Sequence, residues 1–159
     1  MGKLLSKQDY YDSLAKKPMG ADVLFLNDKN EMLVVKPNYK DEWLLPGGTL
    51  ESGESPREGA GRESKEEIGL NIEIQKMLCV DYSRTPEGDN LKFVFFGGIL
   101  NSEQISNIKL QEAELLEFKF VSLEEALKLF GPRKIKRIPH CFEALKNNTV
   151  AYLENGESI

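Results

Sequence analysis

Residues 55–70 constrain this 159-residue chain more than any other stretch. Ser55 is a good helix N-cap, Pro56 suits the first helical position, and Glu58, three residues after the cap, completes a capping box. Gly69 can close the far end. As a folding element, however, the helix from Pro56 to Ile68 is poor. Gly59 and Gly61 stand in its interior, each costing up to about 1 kcal/mol relative to Ala, and only Ala60, Ser64 and Ile68 offer an inward stripe. Glu63, Glu66 and Glu67 fall at i, i+3 and i+4, three carboxylates within one turn that repel unless something neutralises them. Propensity and burial alone do not explain such a sequence.

A divalent cation would neutralise them. Hard oxygen ligands at this spacing suit Mg²⁺ or Mn²⁺, which keep several waters and bridge carboxylates to substrate phosphate oxygens. Such an ion stabilises charge on a phosphoryl oxygen and lowers the pKa of bound water. Gly59, Ala60 and Gly61 would let the helix lie close against neighbouring backbone. The competing reading is a solvated face, which a Glu66-Glu67 pair by itself more often is.

Around this helix the chain reads as alternating strands and helices. Residues 20–26 and 31–36 flank Asn27-Asp28-Lys29-Asn30 and predict a hairpin. Trp43-Leu44-Leu45 leads into Pro46-Gly47-Gly48, a break that ends regular pairing. Residues 72–82 and 91–100 read as strands joined across residues 86–90, and Phe118 to Val121 add another. Ser122 and Glu125 form a second capping box ahead of the stripe Leu123, Ala126, Leu127 and Phe130. Gly131-Pro132 stops that helix, and a last one starts at Pro139, with Ile138, Cys141, Phe142 and Leu145 at helical spacing. A short helix around Lys7 to Lys16 would pack Tyr10, Tyr11 and Leu14 on the body. Helices on a mixed sheet, an α/β or α+β sandwich, is the expected class.

With 40% apolar and 30% charged residues, one soluble domain accounts for the length. No run approaches the roughly 18 apolar residues of a membrane span, and the polar start lacks a secretory core, so the cytoplasm is the expected location. Met1-Gly2 with Ser6 matches an N-myristoylation pattern but lacks a polybasic run, and is read as chance. Cys79 and Cys141 belong to no C-x-x-C pair and are read as reduced structural thiols. The net charge of −5 argues against broad nucleic-acid binding. A small phosphorylated substrate remains compatible, provided a dication stands between it and the carboxylates.

From Gly48 the chain reads Gly, five residues, Glu54, seven residues, then Arg62-Glu63-Ser64-Lys65-Glu66-Glu67-Ile68-Gly69-Leu70. This resembles the Nudix box, G-x5-E-x7-R-E-U-x-E-E-x-G-U with U a bulky aliphatic residue. Seven fixed positions make a chance match on the order of 10⁻⁸ per starting site. Ser64 stands where the aliphatic residue is expected, which reduces that core contact and leaves a hydroxyl to hydrogen-bond. Trp43 to Gly48 resembles the family's approach to the box, and Glu117 to Glu125 its late strand and helix.

The resemblance to the Nudix hydrolase family implies an α/β/α sandwich with a mixed sheet between helices over residues 18–147, after an N-terminal segment 1–17 and before a polar tail 148–159. It implies Mg²⁺-dependent hydrolysis, Mn²⁺ being the alternative, of a diphosphate linkage in a nucleoside diphosphate derivative by metal-activated water. Glu63 and Glu67 become the principal metal ligands, Glu66 a further ligand or water-orienting carboxylate, and the Gly47 carbonyl a completing ligand. Arg62 and Glu54 become an orienting pair. Glu114 is the choice for an acidic residue outside the box, with Glu112 and Glu117 as rivals, and which carboxylate is the general base stays open.

Lys36, Tyr39 and Arg84 are candidate substrate contacts, the two cations having ordinary surface roles as their alternative. Phe95 is assigned to the core. The run Arg133 to Arg137 reads as a solvated face, and His140 as a helix-surface residue. A non-catalytic nucleotide sensor is the competing function, and the intact acids argue against it. The substrate is unnamed by these motifs, and a homodimer would be in keeping with relatives.

Overall fold

Alternation along one strand decides the architecture. In β1 (Met19–Leu26) every residue after Met19 is buried. Ala21, Val23 and Phe25 join one apolar cluster, while Leu24 and Leu26 join another. A strand buried on both faces must be central, with helices covering each side.

The computed structural model describes residues 6–159, so Met1 and Gly2 of the acylation pattern lie outside the described residues. The remaining elements are α1 (Lys7–Ser13), β2 (Met32–Pro37), β3 (Gly47–Thr49), α2 (Pro56–Ile68), β4 (Met77–Ser83), β5 (Asn90–Ile99), α3 (Ser102–Ser106), β6 (Leu115–Val121), α4 (Leu123–Leu129), α5 (Pro132–Asn147), β7 (Ala151–Glu154) and β8 (Glu157–Ser158). The sheet runs β6-β2-β1-β5-β4-β7-β8, and β3 pairs with the first half of β1. It is mixed, since β1 is parallel to β5 and β4 to β7 while its other pairs are antiparallel. Ala60 and Ile68 of α2 pack on one face. Ala126 of α4 and Ile138 and Cys141 of α5 pack on the other. The expected α/β/α sandwich is the observed fold.

Several local expectations are corrected. Helix α1 ends at Ser13, and Tyr10, Tyr11 and Leu14 stay exposed rather than packing on the body. Strand β4 itself begins at Met77, after a loop over residues 71–76 whose end already bonds β5 through Gln75 N–H to the Phe96 carbonyl at 2.9 Å and Phe96 N–H to the Lys76 carbonyl at 2.8 Å. Instead of ending regular pairing, Gly47 and Gly48 pair with Asp22 and Ala21. The second capping box is half formed: Ser122 Oγ accepts the Glu125 N–H at 3.2 Å, but Glu125 turns its carboxylate to Lys119 at 3.4 Å. Helix α3 was not anticipated, although Asn101 and Gln104 make a reciprocal capping box there.

The last third departs furthest. Helix α5 starts at Pro132, not Pro139, because Gly131 takes an extended N-cap conformation and Pro132 sits at the first helical position. Pro139 lies inside the helix, forgoing one backbone bond. The basic run therefore forms the first turns of α5, and Arg137 is buried rather than solvated. Residues 148–159 are not a simple tail: β7 pairs in parallel with β4 from Cys79↔Ala151, and β8 folds back on it. Asn155 and Gly156 turn between them with φ of 55° and 81°, as the two-residue turns that match strand twist require.

Candidate active site

The carboxylate helix is built as its punctuation predicts. Ser55 Oγ accepts the Glu58 N–H at 3.3 Å and Glu58 accepts the Ser55 N–H at 2.9 Å. Buried Ser64 donates its hydroxyl to the Ala60 carbonyl at 2.8 Å, replacing the missing aliphatic contact by a hydrogen bond. A Cβ on Gly59 would meet the ends of the Leu50 and Glu54 side chains, so both would have to give way to any larger residue there. Gly61 differs, since a Cβ there would meet only Ile74 Cγ1 at 3.8 Å, so close packing does not account for that glycine.

The helix meets strand β3 through two glycines. Gly47 has φ of 144°, and a Cβ on it would collide with the Ala21 carbonyl. A Cβ on Gly48 would collide with the Glu63 carboxylate. Only bare backbone lets these acids lie against β3.

Glu67 is 7% exposed, and its Oε2 accepts the Gly47 N–H at 2.7 Å. Burial pushes its pKa up to about 8, the Gly47 N–H opposing and the charges of Glu63, Asp22 and Glu114 reinforcing the rise. Burial also raises Glu63, against the pull of Arg62. Arg62 clasps Glu54 through two nitrogens at 2.9 and 3.0 Å, and places its third nitrogen 3.0 Å from both Glu63 and Glu66. It also donates to the Thr49 carbonyl at 3.1 Å, so it ties the 49–54 loop to α2. The Arg62 bonds hold Glu54 below the usual carboxylate range.

Among the described residues no group of three or more acidic, His or Cys side chains is gathered into metal-holding geometry. Arg62 serves as the cation for Glu63 and Glu66 instead. Glu67 has no cationic partner among the described residues. A buried carboxylate lacking a counter-charge, beside a second one that fits only because Gly48 has no Cβ, is a donor set suited to a hard dication.

Loops at the end of α2 add two more groups. The Lys109 and Gln111 N–H groups cap the Ile68 and Glu67 carbonyls, each at 3.0 Å. This carries the loop before β6 past the carboxylates. Glu114 is exposed on that loop, and of Glu112, Glu114 and Glu117 only Glu114 is among the principal charges acting on Glu67. Asn38 joins this loop to the next, its N–H meeting the Glu114 carbonyl at 2.9 Å and its side chain the Ala113 carbonyl at 2.7 Å. Adjacent Tyr39 is 66% exposed, and its phenol is raised by partial burial and by Glu67, Glu114 and Glu63.

The two candidate phosphate contacts, Lys36 and Arg84, both have partners within the protein. Lys36 donates to the Lys40 carbonyl at 3.2 Å and to that of Asp41, so it fastens the Tyr39 loop. Arg84 lies over the Tyr82 ring at 6.0 Å, and its N–H bonds Asn155.

A buried charged group that the sequence motifs do not single out, Asp22 with Lys92 and Lys134, lies next to β3. Asp22 is buried on β1, with Lys92 Nζ 2.8 Å from its Oδ1 and 3.4 Å from the Gly48 carbonyl. Burial opposes its ionisation, but Lys92, Lys134 and Arg137 together lower its pKa. The available signal was a charged residue inside the apolar run Ala21 to Leu26.

Comparison with known proteins agrees with the box. The NUDIX domain family model matches residues 16–141. A Bacillus subtilis (strain 168) protein provisionally named 8-oxo-dGTP diphosphatase is 36% identical over 88 residues, covering 55% of this chain and 58% of that protein. An ADP-ribose pyrophosphatase from the same organism is 28% identical over 154 residues, covering 92% and 77%. The crystal structure of a MutT protein from Methanosarcina mazei Go1 superposes with a TM-score of 0.67 at 26% identity, over 86% of this chain and 99% of that one. With the box intact on its helix and the family's domain spanning most of its length, the chain belongs to the Nudix hydrolase family.

Proposed function

We propose that the chain is a pyrophosphohydrolase that cuts the diphosphate linkage of a nucleoside diphosphate derivative with the help of Mg²⁺ or Mn²⁺. The observation that carries this reading is Glu67, a buried carboxylate without a counter-ion, held against Gly47 beside Glu63. Glu63 and Glu67 are the ligands, with Glu66 and the Gly47 carbonyl completing the set. When bound, the ion supplies charge stabilisation at a phosphoryl oxygen and a water acidic enough to yield hydroxide.

The chain's own groups do the rest. Arg62 orients Glu63 and Glu66 through charge-assisted bonds and is itself fixed by Glu54. Glu114, on its loop facing Glu67, is the proposed proton acceptor. Tyr39 offers an exposed ring beside the same carboxylates for a nucleobase or sugar. The names of the relatives, ADP-ribose pyrophosphatase and 8-oxo-dGTP diphosphatase, support nucleotides as the substrate class.

The test is a panel of nucleoside triphosphates, nucleotide sugars, ADP-ribose, dinucleoside polyphosphates and capped RNA, each with Mg²⁺ or EDTA, read by released phosphates. Metal-dependent release of a monophosphate from at least one member is the expected result. Tight binding without turnover of any member would replace the hydrolase reading by that of a nucleotide sensor.

A further inference from the structure

Away from the carboxylates of α2, a cleft beside the start of α5 is lined mainly by cations. It measures about 550 Å³ and lies between the 40–44 loop and the start of α5, where Arg133 and Lys134 face Lys40 and Glu42. A second recess, of about 170 Å³, shares Arg133 and Lys134 with it and is otherwise lined by Ser83, Asn90, Lys92 and Arg137. We propose that this cleft is an anion subsite, which takes a phosphoryl group of the substrate other than those of the linkage being cut. The inference rests on the hydrolase reading and narrows its substrate class to nucleoside diphosphate derivatives that carry an additional phosphate.

Charge and hydrogen-bonding capacity point the same way. Lys40, Lys92, Arg133 and Lys134 stand against Asp22 and Glu42, so cations are in excess. Arg137 does not count towards that excess, because Asp81 takes it at 2.7 Å. Lys134 is half-buried, and while its backbone N–H bonds the Gly131 carbonyl at 3.0 Å, its side-chain ammonium has no hydrogen-bond or ion-pair partner among the described residues. Its burial lowers its pKa to about 8, against the pull of Asp22 and with help from Lys92 and Lys40. An anion in the cleft would reverse that penalty.

Ser83 supplies the second, independent observation. It is 2% exposed, lines the recess, and its hydroxyl has no partner among the described residues. Buried hydroxyls are normally paired, and this one belongs to a recess whose other lining side chains include Lys92, Arg133, Lys134 and Arg137. At the start of α5 Gly131 provides no side-chain cap, and since Pro132 has no N–H and the Lys134 N–H bonds the Gly131 carbonyl at 3.0 Å, it is the helix dipole that favours negative charge there. Donors converging from β4, β5 and α5 suit a tetrahedral group with several acceptor oxygens.

The cleft also connects to the carboxylates. Lys92 touches both Asp22 and the Gly48 carbonyl, whose residue packs on Glu63. On the other side Tyr39 feels Glu67 and Glu63 while the next residue, Lys40, feels Lys134. On this proposal the substrate places its diphosphate at the carboxylates and a further phosphate at α5, with Lys92, between Asp22 and the Gly48 carbonyl, as the residue shared by the two sides.

The test uses pairs of nucleoside diphosphate derivatives that differ by one phosphomonoester, on the terminal sugar or on the nucleoside ribose, assayed with Mg²⁺ on the full chain. At least one phosphorylated partner should show a kcat/KM about tenfold higher or more, mainly through KM. Lys134→Met and the more exposed Arg133→Met, each checked for an unchanged melting curve, should bring that ratio to within about threefold of unity. Equal kcat/KM across all pairs in the wild type, or a ratio untouched by both variants, overturns the subsite. If no pair is turned over at all, the hydrolase reading fails separately. Calorimetric titration with inorganic phosphate then decides: binding near about 1 mM that both variants weaken supports the subsite, and no binding to the wild type overturns it.

Discussion

Glu67 and Gly47 are joined by a single 2.7 Å hydrogen bond from the glycine N–H to a carboxylate buried on helix α2. That bond sets the carboxylate helix against strand β3 and leaves the Glu67 charge without a cation. The protein thus keeps an electrostatic penalty at the point where the proposed metal would bind.

Stability of the metal-free protein should reflect that penalty. Well below pH 4.5 Glu67 is protonated in folded and unfolded chains alike, and this contribution is fully favourable. As pH rises the unfolded chain loses the proton first, so stability falls until pH passes about 8. Glu67→Gln keeps an acceptor for Gly47 and removes the charge. In EDTA at pH 8 the variant should be more stable than wild type by about 2–4 kcal/mol, with the gap closing towards pH 5, as urea unfolding would measure.

Activity should move in the opposite direction. With Mg²⁺ saturating, Glu67→Gln is expected to lose turnover by two or more orders of magnitude while keeping its fold by circular dichroism. Wild-type rates in this variant would remove Glu67 from the ligand set.

Metal addition offers a readout without substrate. Mn²⁺ or Mg²⁺ at about a hundred times its dissociation constant should stabilise the wild type by about 2.7 kcal/mol. Glu63→Gln and Glu67→Gln should each abolish most of the shift in a thermal melt. An equal shift in all three proteins would place the ion elsewhere.

The glycines of the box separate by the space around them. Gly48→Ala drives a methyl into Glu63, so turnover should fall at least tenfold. Gly61→Ala has room beside Ile74 and should stabilise the chain by about 0.5–1 kcal/mol, through helix propensity alone. Chemical denaturation with parallel assays distinguishes the two.

The C-terminal hairpin should prove structural. Arg137 and Asp81 form a buried ion pair at 2.7 Å, and the second Asp81 oxygen accepts the Gly156 N–H at 3.0 Å. Arg137→Met leaves Asp81 charged and unpaired, at an expected cost of about 3–5 kcal/mol. Deleting residues 150–159 strips β7 from the β4 edge and frees that oxygen. The truncated chain should melt well below wild type, whereas a solvated tail would leave the midpoint in place.

The carboxylate helix was legible because its information is local. Ser55, Pro56, Glu58 and Gly69 fix its ends through contacts within four residues, and the box spacing sets its three acids on one side. The hairpin at Asn155-Gly156 carried an equally local signal that was read as tail, because its strands are only four and two residues long. The start of α5 was misplaced for a different reason. Pro139 looked like a first helical residue, and only packing against β4 and β7 holds a helix through it.

What the sequence by itself determined is therefore the family, the sandwich and the acids on α2, all of which follow from spacing along the chain. Tertiary structure alone decided that Arg62 neutralises Glu63 and Glu66 while Glu67 keeps only the Gly47 N–H and no cationic partner among the described residues. It also brought Lys40, Lys92, Lys134 and Ser83, from four separate segments, to two neighbouring cavities that share Lys134. Charge in a folded protein acts through space and through burial, and neither quantity is written in the order of residues.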